Sequence, residues 1–175
     1  QRVRPATVDL IEGDANARAP WVLRTIDAQA WVCTYADVEN PSQLLWRTLE
    51  ALPRGHGSVD LYALFPLNMG WGRMISDWRN CAGVFRSAFG NDEWRPICKR
   101  VTTNAQNKQA RVELLELYLE RLRTLWTYAG VVTDVNRVGD AKLYRMIFAT
   151  NNEAAKRIAE HLQRRPKGGQ TDLGL

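Results

Sequence analysis

Two short acidic side chains near the start of the chain occupy positions where they could do chemistry. Asp14 follows the apolar run at residues 8–11, and Asp37 follows the run at residues 30–35. Both runs are predicted strands. A short carboxylate at a strand tip, beside a small neighbour, can accept a hydrogen bond from a planar ring. The alternative for Asp14 is a turn residue that caps the helix predicted over residues 17–26, and for Asp37 it is a polar loop residue.

A third predicted strand, residues 59–65, ends in an aromatic residue followed by a proline, Phe65 and Pro66. Such a pair can grip a flipped base or another planar group. The alternative is a packed strand end, and this alternative holds unless a pocket opens beside the pair.

Residues 70–100 alternate tryptophans with arginines and are predicted to form a helical lobe inserted after the third strand. Aromatic stacking combined with cations is how proteins hold single-stranded nucleic acid, which makes Arg79 and Arg86 candidate substrate contacts. The sequence favours the alternative, in which the aromatic side chains form a core and the arginines are solvated. Insertions at strand ends often contact substrate, so the lobe is expected over the strand tips as a lid or platform.

Composition and motif searches exclude several functional classes. The 175 residues include 45% hydrophobic and 25% charged side chains, which is typical of a soluble globular domain and not of a disordered chain. The net charge of +5 would favour nucleic acid as a partner, and no apolar run is long enough to span a bilayer. No metal site is predicted, because the histidines and the cysteines lack ligand spacing: His56, His161, Cys33, Cys81 and Cys98. Sparse cysteines indicate a reducing cytoplasm.

The end of the chain carries the most diagnostic pattern. Residues 131–137 and 142–150 are two strand-like runs joined by a tight turn at Gly139 and Asp140, which predicts an antiparallel hairpin at one edge of a mostly parallel sheet. A capping-box spacing between Thr150 and Glu153 predicts a last helix.

The predicted elements divide one α/β domain into consecutive parts. The longest predicted helix covers residues 109–128, where apolar residues recur every three or four positions. The parts are a sheet segment at residues 1–66, the helical insertion at 67–108, the long helix, hairpin and last helix at 109–163, and a frayed tail at 164–175.

A parallel sheet with helices and a terminal antiparallel hairpin is typical of the Rossmann-like class I methyltransferases. Over nearly the whole chain, the order of sequence blocks resembles the carboxyl-terminal two-thirds of the three-Cys-motif partner protein family. The matching blocks are residues 8–16, 35–37 with the helix containing Trp46, 59–66, 118–122 and 143–149.

The resemblance implies an S-adenosylmethionine site at the carboxyl ends of the parallel strands. It makes Asp14 the acceptor for the adenine amino group, with Ala15 and Asn16 beside it, and it places Asp37 near the reactive methyl group as the catalytic candidate. Where the family has an Asp-Pro pair, this chain has Asp37 followed by Val38.

The resemblance also implies strands ahead of Val8, with a glycine-rich cofactor turn and a ribose-binding acid, which this sequence does not contain. The simplest expectation is that further residues precede it in a longer protein. Two functions remain open. One is part of an S-adenosylmethionine-dependent methyltransferase-like enzyme acting on nucleic acid. The other is a non-catalytic module that partners an iron–sulfur, radical-SAM-like protein or DNA or RNA. The altered Asp37 site favours the module, and Asp14 with its neighbours favours the enzyme.

Overall fold

The computed structural model describes residues 8–40, 43–54, 58–67, 70–136 and 142–164. These ranges contain one mixed sheet, whose strands are β1 (Trp31–Ala36), β2 (Ser58–Pro66), β3 (Tyr128–Asn136) and β4 (Lys142–Thr150). They also contain the helices α1 (Ala15–Thr25), α2 (Trp46–Ala51), α3 (Trp71–Ser76), α4 (Ala82–Phe89), α5 (Arg95–Lys99), α6 (Asn104–Leu122) and α7 (Glu153–Arg164). The predicted α/β class is confirmed.

The four strands of the sheet are ordered β1-β2-β4-β3. β1 pairs with β2 in parallel, and β4 runs antiparallel to both β2 and β3. The predicted antiparallel pairing of the last two strands is confirmed, whereas its turn at Gly139 and Asp140 lies outside the described residues. Three of the four strands, β1, β2 and β3, run in the same direction and β4 is reversed, so the sheet is mixed, with the antiparallel pair at one edge as predicted.

The predicted strand at residues 8–11 does not form. Val8 and Leu10 are 92% and 97% exposed, and the segment is irregular up to the start of α1. A strand is stabilised by hydrogen bonds to a neighbouring strand, and no strand within the described ranges pairs with this segment. The apolar run at residues 8–11 is therefore not sufficient to form a strand without a pairing partner.

The longest helix, α6, begins and ends earlier than the predicted range of 109–128. It starts after Thr103, whose hydroxyl accepts the backbone N–H of Gln106 at 3.2 Å. The Gln106 side chain in turn accepts the Thr103 N–H at 3.1 Å, which completes a capping box. The helix therefore begins five residues before the predicted start, in a polar segment that carries its own cap.

The last helix is capped by a different residue from the one predicted. Asn152 Oδ1 accepts the backbone N–H groups of Ala154 and Ala155 at 2.9 and 3.1 Å. Thr150 instead ends β4, and its hydroxyl donates to Asp60. The helix forms as predicted, but Asn152, and not Thr150, caps its first turn.

One hydrophobic core joins the sheet to the helical lobe formed by α3, α4 and α5. Phe65 at the carboxyl end of β2 stacks on Trp71 with ring centroids 5.4 Å apart, and Phe85 stacks on Trp94 at 4.6 Å. All four side chains are at most 3% exposed. The lobe is helical, as predicted, and its aromatic side chains form core, apart from the partly exposed Trp78.

The two faces of the sheet differ in how well they are covered. Leu61 and Ala63 of β2 are buried within the core cluster. On the opposite face, α7 packs on β3 and β4, but Trp31 and Tyr35 of β1 remain 68% and 59% exposed. β1 is also at the edge of the sheet, so one side of its backbone pairs with no strand of the described ranges.

Candidate functional site

A cavity of about 610 Å³ lies between α1, α2 and the carboxyl end of β1. It brings together four of the residues that the sequence analysis singled out: Asp14, Ala15, Asn16 and Asp37. Its volume is in the usual range for small-molecule sites, and it lies at the carboxyl end of a parallel strand, where α/β proteins bind ligands.

Asp14 is held in the cavity wall by the geometry of a helix start. Gly13 has a φ of +128°, a conformation that side chains disfavour, and it turns the chain into α1. Asp14 is the N-cap, and its Oδ1 accepts the backbone N–H of Asn16 at 2.8 Å and the Asn16 amide at 3.3 Å. Its other carboxyl oxygen has no hydrogen-bond partner among the described residues. The side chain therefore caps the helix and keeps one acceptor available.

Asn16 ties α1 to the segment that leads into α2. Its Oδ1 accepts the backbone N–H of Leu45 at 3.0 Å and the hydroxyl of Thr48 at 2.8 Å, and its amide donates to the Gln43 carbonyl at 2.9 Å. Asn16 thus anchors the start of α2, whose N-cap residue Leu45 makes no side-chain capping bond, and fixes the spacing between two walls of the cavity. The sequence gives no indication of this role, because the partners lie 27 to 32 residues away.

Asp37 follows the last residue of β1, and its side chain lines the cavity next to the exposed ring of Tyr35. No hydrogen bond to the Asp37 carboxyl is found within the described residues. Val38, the residue after Asp37, is buried at 9% exposure. The carboxylate is therefore available to a ligand, while its neighbour packs into the core.

The cavity is acidic. Among the residues that line it, Asp14 and Asp37 are the charged ones, and no lysine or arginine is among the described lining residues. Hydrogen-bond acceptors and negative charge suit a neutral or cationic ligand with donor groups, and they disfavour a phosphate.

Phe65 and Pro66 lie outside this cavity. Phe65 is 3% exposed and contacts Trp71 and Tyr118 at centroid distances of 5.4 Å each, and Pro66 is also buried. The void beside them is about 20 Å³, which is too small for a planar ligand. In this structure the pair forms the packed end of β2.

Arg79 and Arg86 lie on the exposed side of the lobe and away from the Asp14 cavity. The Arg79 guanidinium stands 4.7 Å from the ring centroid of Trp78. Arg86 forms an ion pair with Asp92 at 2.7 Å, and its hydrogen bond holds the pKa of that carboxyl below the ordinary value. Of these two guanidinium groups, Arg86 is therefore already engaged with an acid.

The described residues contain no cluster of three or more acidic, histidine or cysteine side chains that could hold a metal ion. None of the helices in the described ranges is long and apolar enough to cross a membrane. Comparisons with protein-family models, with curated proteins and with solved structures gave no match to this chain.

Proposed function

We propose that this chain contributes the carboxyl-terminal part of a methyltransferase-like protein that binds S-adenosylmethionine in the Asp14 cavity. The observation that carries the proposal is the convergence of Asp14, the first turn of α1 and Asp37 on one cavity at the end of β1. The reversed strand β4, which lies between β2 and the edge strand β3, agrees with the architecture that the sequence resemblance implies.

The residues present fit an adenine ring at the start of α1. The free carboxyl oxygen of Asp14 can accept a hydrogen bond from an exocyclic amino group. The backbone N–H of Ala15 makes no hydrogen bond within the described residues, as expected for the first residue of a helix, and it can donate to a ring nitrogen. Ala15 has a small side chain, so a flat ring can approach the backbone.

The charge of the cavity also fits this cofactor, whose reactive methyl group is attached to a positively charged sulfur. Two carboxylates, Asp14 and Asp37, face a cavity without a basic side chain among its described lining residues. A sulfonium group would gain Coulomb energy there that a nucleoside phosphate would lose. Asp37 would orient the positive end of the ligand, and Tyr35 would cover it from the side of the strand.

Titration calorimetry of the intact protein with S-adenosylmethionine tests the proposal. We expect saturable binding that weakens by about tenfold or more in Asp14→Ala, because one hydrogen bond to the ring is lost. Glu12→Gln, which removes a nearby exposed carboxylate outside the cavity, serves as the matched control and should bind like the native protein. Absence of binding by the intact protein would refute the proposal.

Nucleic acid is the proposed methyl acceptor, because the net charge of +5 favours polyanions. Transfer of labelled methyl groups to RNA or DNA measures this step separately from cofactor binding. Charge reversal at Arg79 should weaken nucleic-acid binding and reduce its salt dependence if the lobe takes part. Unchanged binding would leave Arg79 a solvated side chain.

A second candidate, a non-catalytic binding module, is favoured by the exposed edge of β1. Trp31 and Tyr35 present aromatic surface on β1, whose outer edge pairs with no other described strand, and another chain can cover such a surface. The proposed partner for this candidate is an iron–sulfur, radical-SAM-like protein. Cofactor binding without methyl transfer to any nucleic acid, together with a complex that forms through Trp31, would favour the module.

A further inference from the structure

A second cavity, of about 370 Å³, lies under α7 on the less covered face of the sheet. Tyr62 of β2 and Met146 of β4 form its floor, Ile158 of α7 forms one wall, and Trp31 stands at the β1 side. Trp31 and Ile158 are 68% and 63% exposed, so the cavity is open to solvent at its rim. Its size is in the range of small-molecule sites, and most of its lining is apolar.

One acidic side chain, Asp60, lies in this apolar cavity and is 3% exposed. Its Oδ1 accepts the hydroxyl of Thr150, whose own oxygen accepts the backbone N–H of Asn152 at 2.9 Å. Because an ionised carboxylate only accepts hydrogen bonds, the hydroxyl proton of Thr150 is directed to Asp60. The other carboxyl oxygen of Asp60 has no hydrogen-bond or ion-pair partner within the described residues.

The negative charge of Asp60 is felt by its neighbours across the strands. Burial raises the pKa of Cys33, and the charge of Asp60 raises it further. The pKa of Tyr62 is likewise raised, first by burial and then by the charges of Cys33 and Asp60. With raised pKa values, Cys33 and Tyr62 both stay neutral at neutral pH. Neither side chain therefore supplies a positive charge that would compensate Asp60.

A buried carboxylate is costly unless a cation or several donors compensate it. No basic side chain is found among the described residues that line this cavity. The nearest basic residues along α7, Lys156 and Arg157, each pair with Glu153 at 3.6 Å. The positive charge that would compensate Asp60 is therefore not supplied by these residues, and a bound ligand could supply it.

We infer that this cavity binds a small organic amine, with its ammonium group at Asp60 and its apolar body between Tyr62, Met146 and Ile158. The ammonium group supplies the donors that the free oxygen of Asp60 lacks, in a charge-assisted hydrogen bond. The exposed indole of Trp31 at the rim can contact the cation or the apolar body. Anionic ligands are excluded by the charge of Asp60. The site shares no lining residue with the Asp14 cavity and is independent of the proposed function.

Calorimetric titration with phenethylammonium and with its neutral counterpart 2-phenylethanol tests the inference on the intact chain. We expect the amine to bind at least about tenfold more tightly than the alcohol, because only the amine carries the charge. In Asp60→Asn, which keeps the shape and an acceptor for Thr150, the two affinities should become equal. Equal affinities in the native protein would overturn the inference.

Two further variants locate the ligand and guard against misfolding. Asp37→Asn, in the other cavity, should leave amine binding unchanged, and a loss there would assign the amine to the Asp14 cavity and overturn the inference. Ala155→Leu fills the cavity under α7 without touching Asp60, and helix propensity favours it. It should abolish binding of both probes while the thermal unfolding transition is retained. Native-like amine binding by Ala155→Leu would overturn the inference even if Asp60→Asn does not fold.

Discussion

The aromatic residues of the lobe and those of β1 are of the same types but have opposite environments. In the lobe, Trp71, Phe85 and Trp94 are at most 1% exposed and stack on one another, whereas Trp31 and Tyr35 of β1 are 68% and 59% exposed. The lobe is closed by α6 on one side and by the end of β2 on the other. Within the described residues, no strand pairs with the outer edge of β1, and Trp31 stays mostly exposed at the rim of the cavity under α7.

The difference shows that the aromatic side chains of the lobe are buried in the core, whereas those of β1 remain available for contacts. Exposed large apolar groups on one face generally mark a contact site, and the two cavities described above both lie on the β1 side or next to it. We therefore expect the packing of the lobe to contribute most of the free energy of unfolding, and the β1 side to contact ligands or partners.

Thiol labelling should give the largest contrast between the two regions. Cys33 of β1 is exposed, whereas Cys98 of α5 is fully buried and burial raises its pKa to about 12. Cys33 should react directly, with a rate that rises with pH because its own raised pKa keeps the thiol protonated at pH 8. Cys98 should react roughly a thousandfold more slowly, through unfolding only.

Peptide mass spectrometry after timed alkylation measures both rates in one sample. Similar rates for the two cysteines in the folded protein would contradict the division into a closed and an open side. Labelling in denaturant is the control, since both thiols should then react alike.

Truncation of the lobe core should cost most of the stability that a single substitution can remove. Phe85 is fully buried and lies between Trp71 and Trp94 with centroid distances of 5.2 and 4.6 Å. Phe85→Ala should lower the free energy of unfolding by about 3–5 kcal/mol, because it leaves a cavity between two rings. Trp31→Ala, the matched control on the exposed side, should change it by about 0.5 kcal/mol or less. Denaturant titration measures both.

Equal losses for Phe85→Ala and Trp31→Ala would mean that the β1 side is covered in solution. In that case, if the destabilisation caused by Trp31→Ala became smaller when the protein is diluted, the result would indicate that a second copy of the chain covers Trp31.

The sequence predicted those parts of the fold whose partners are local. β1 and β2 match the predicted runs at residues 30–35 and 59–65 within one residue, because both are short runs rich in β-branched and aromatic residues. The hairpin of β3 and β4 was predicted from two apolar runs joined by a turn. The irregular segment at residues 8–11 was not, because an apolar run cannot show whether a neighbouring strand is present.

The two acidic residues of the candidate site could be predicted from the sequence, but the hydrogen bonds that position the walls of the cavity could not. Asp14 and Asp37 were identified by their positions after apolar runs, and both line one cavity. The link from Asn16 to Thr48 was missed because it joins residues 32 positions apart. Asp60 was also missed, since it stands inside a strand where the sequence pattern predicts only packing.

Loss of the Asn16 link should destabilise the region around the first cavity by an intermediate amount. Asn16→Ala removes the four side-chain hydrogen bonds of Asn16, to Leu45, Thr48, Gln43 and Asp14, and the Leu45 N–H loses its acceptor. We expect a loss of about 2 kcal/mol in the free energy of unfolding. Thr48→Val removes only one of these bonds in a side chain of the same shape and should cost about half as much. Chemical denaturation of the two variants compares them, and a larger loss for Thr48→Val would contradict the assignment of Asn16 as the link.

The smallest expected change in stability concerns Asp14, where a structural and a binding role meet in one side chain. As the N-cap of α1, Asp14 accepts the Asn16 N–H at 2.8 Å, so Asp14→Ala should cost about 1 kcal/mol in the free energy of unfolding. Thr103→Ala removes the N-cap of α6, which does not line the cavity, and should cost about the same. Only Asp14→Ala should also weaken the binding of S-adenosylmethionine, because Asp14 lines the cavity and Thr103 does not. Thermal unfolding and calorimetry on the same two variants separate the roles. If both variants lose stability and both bind the cofactor like the native protein, Asp14 is a helix cap alone and the binding role assigned to it is wrong.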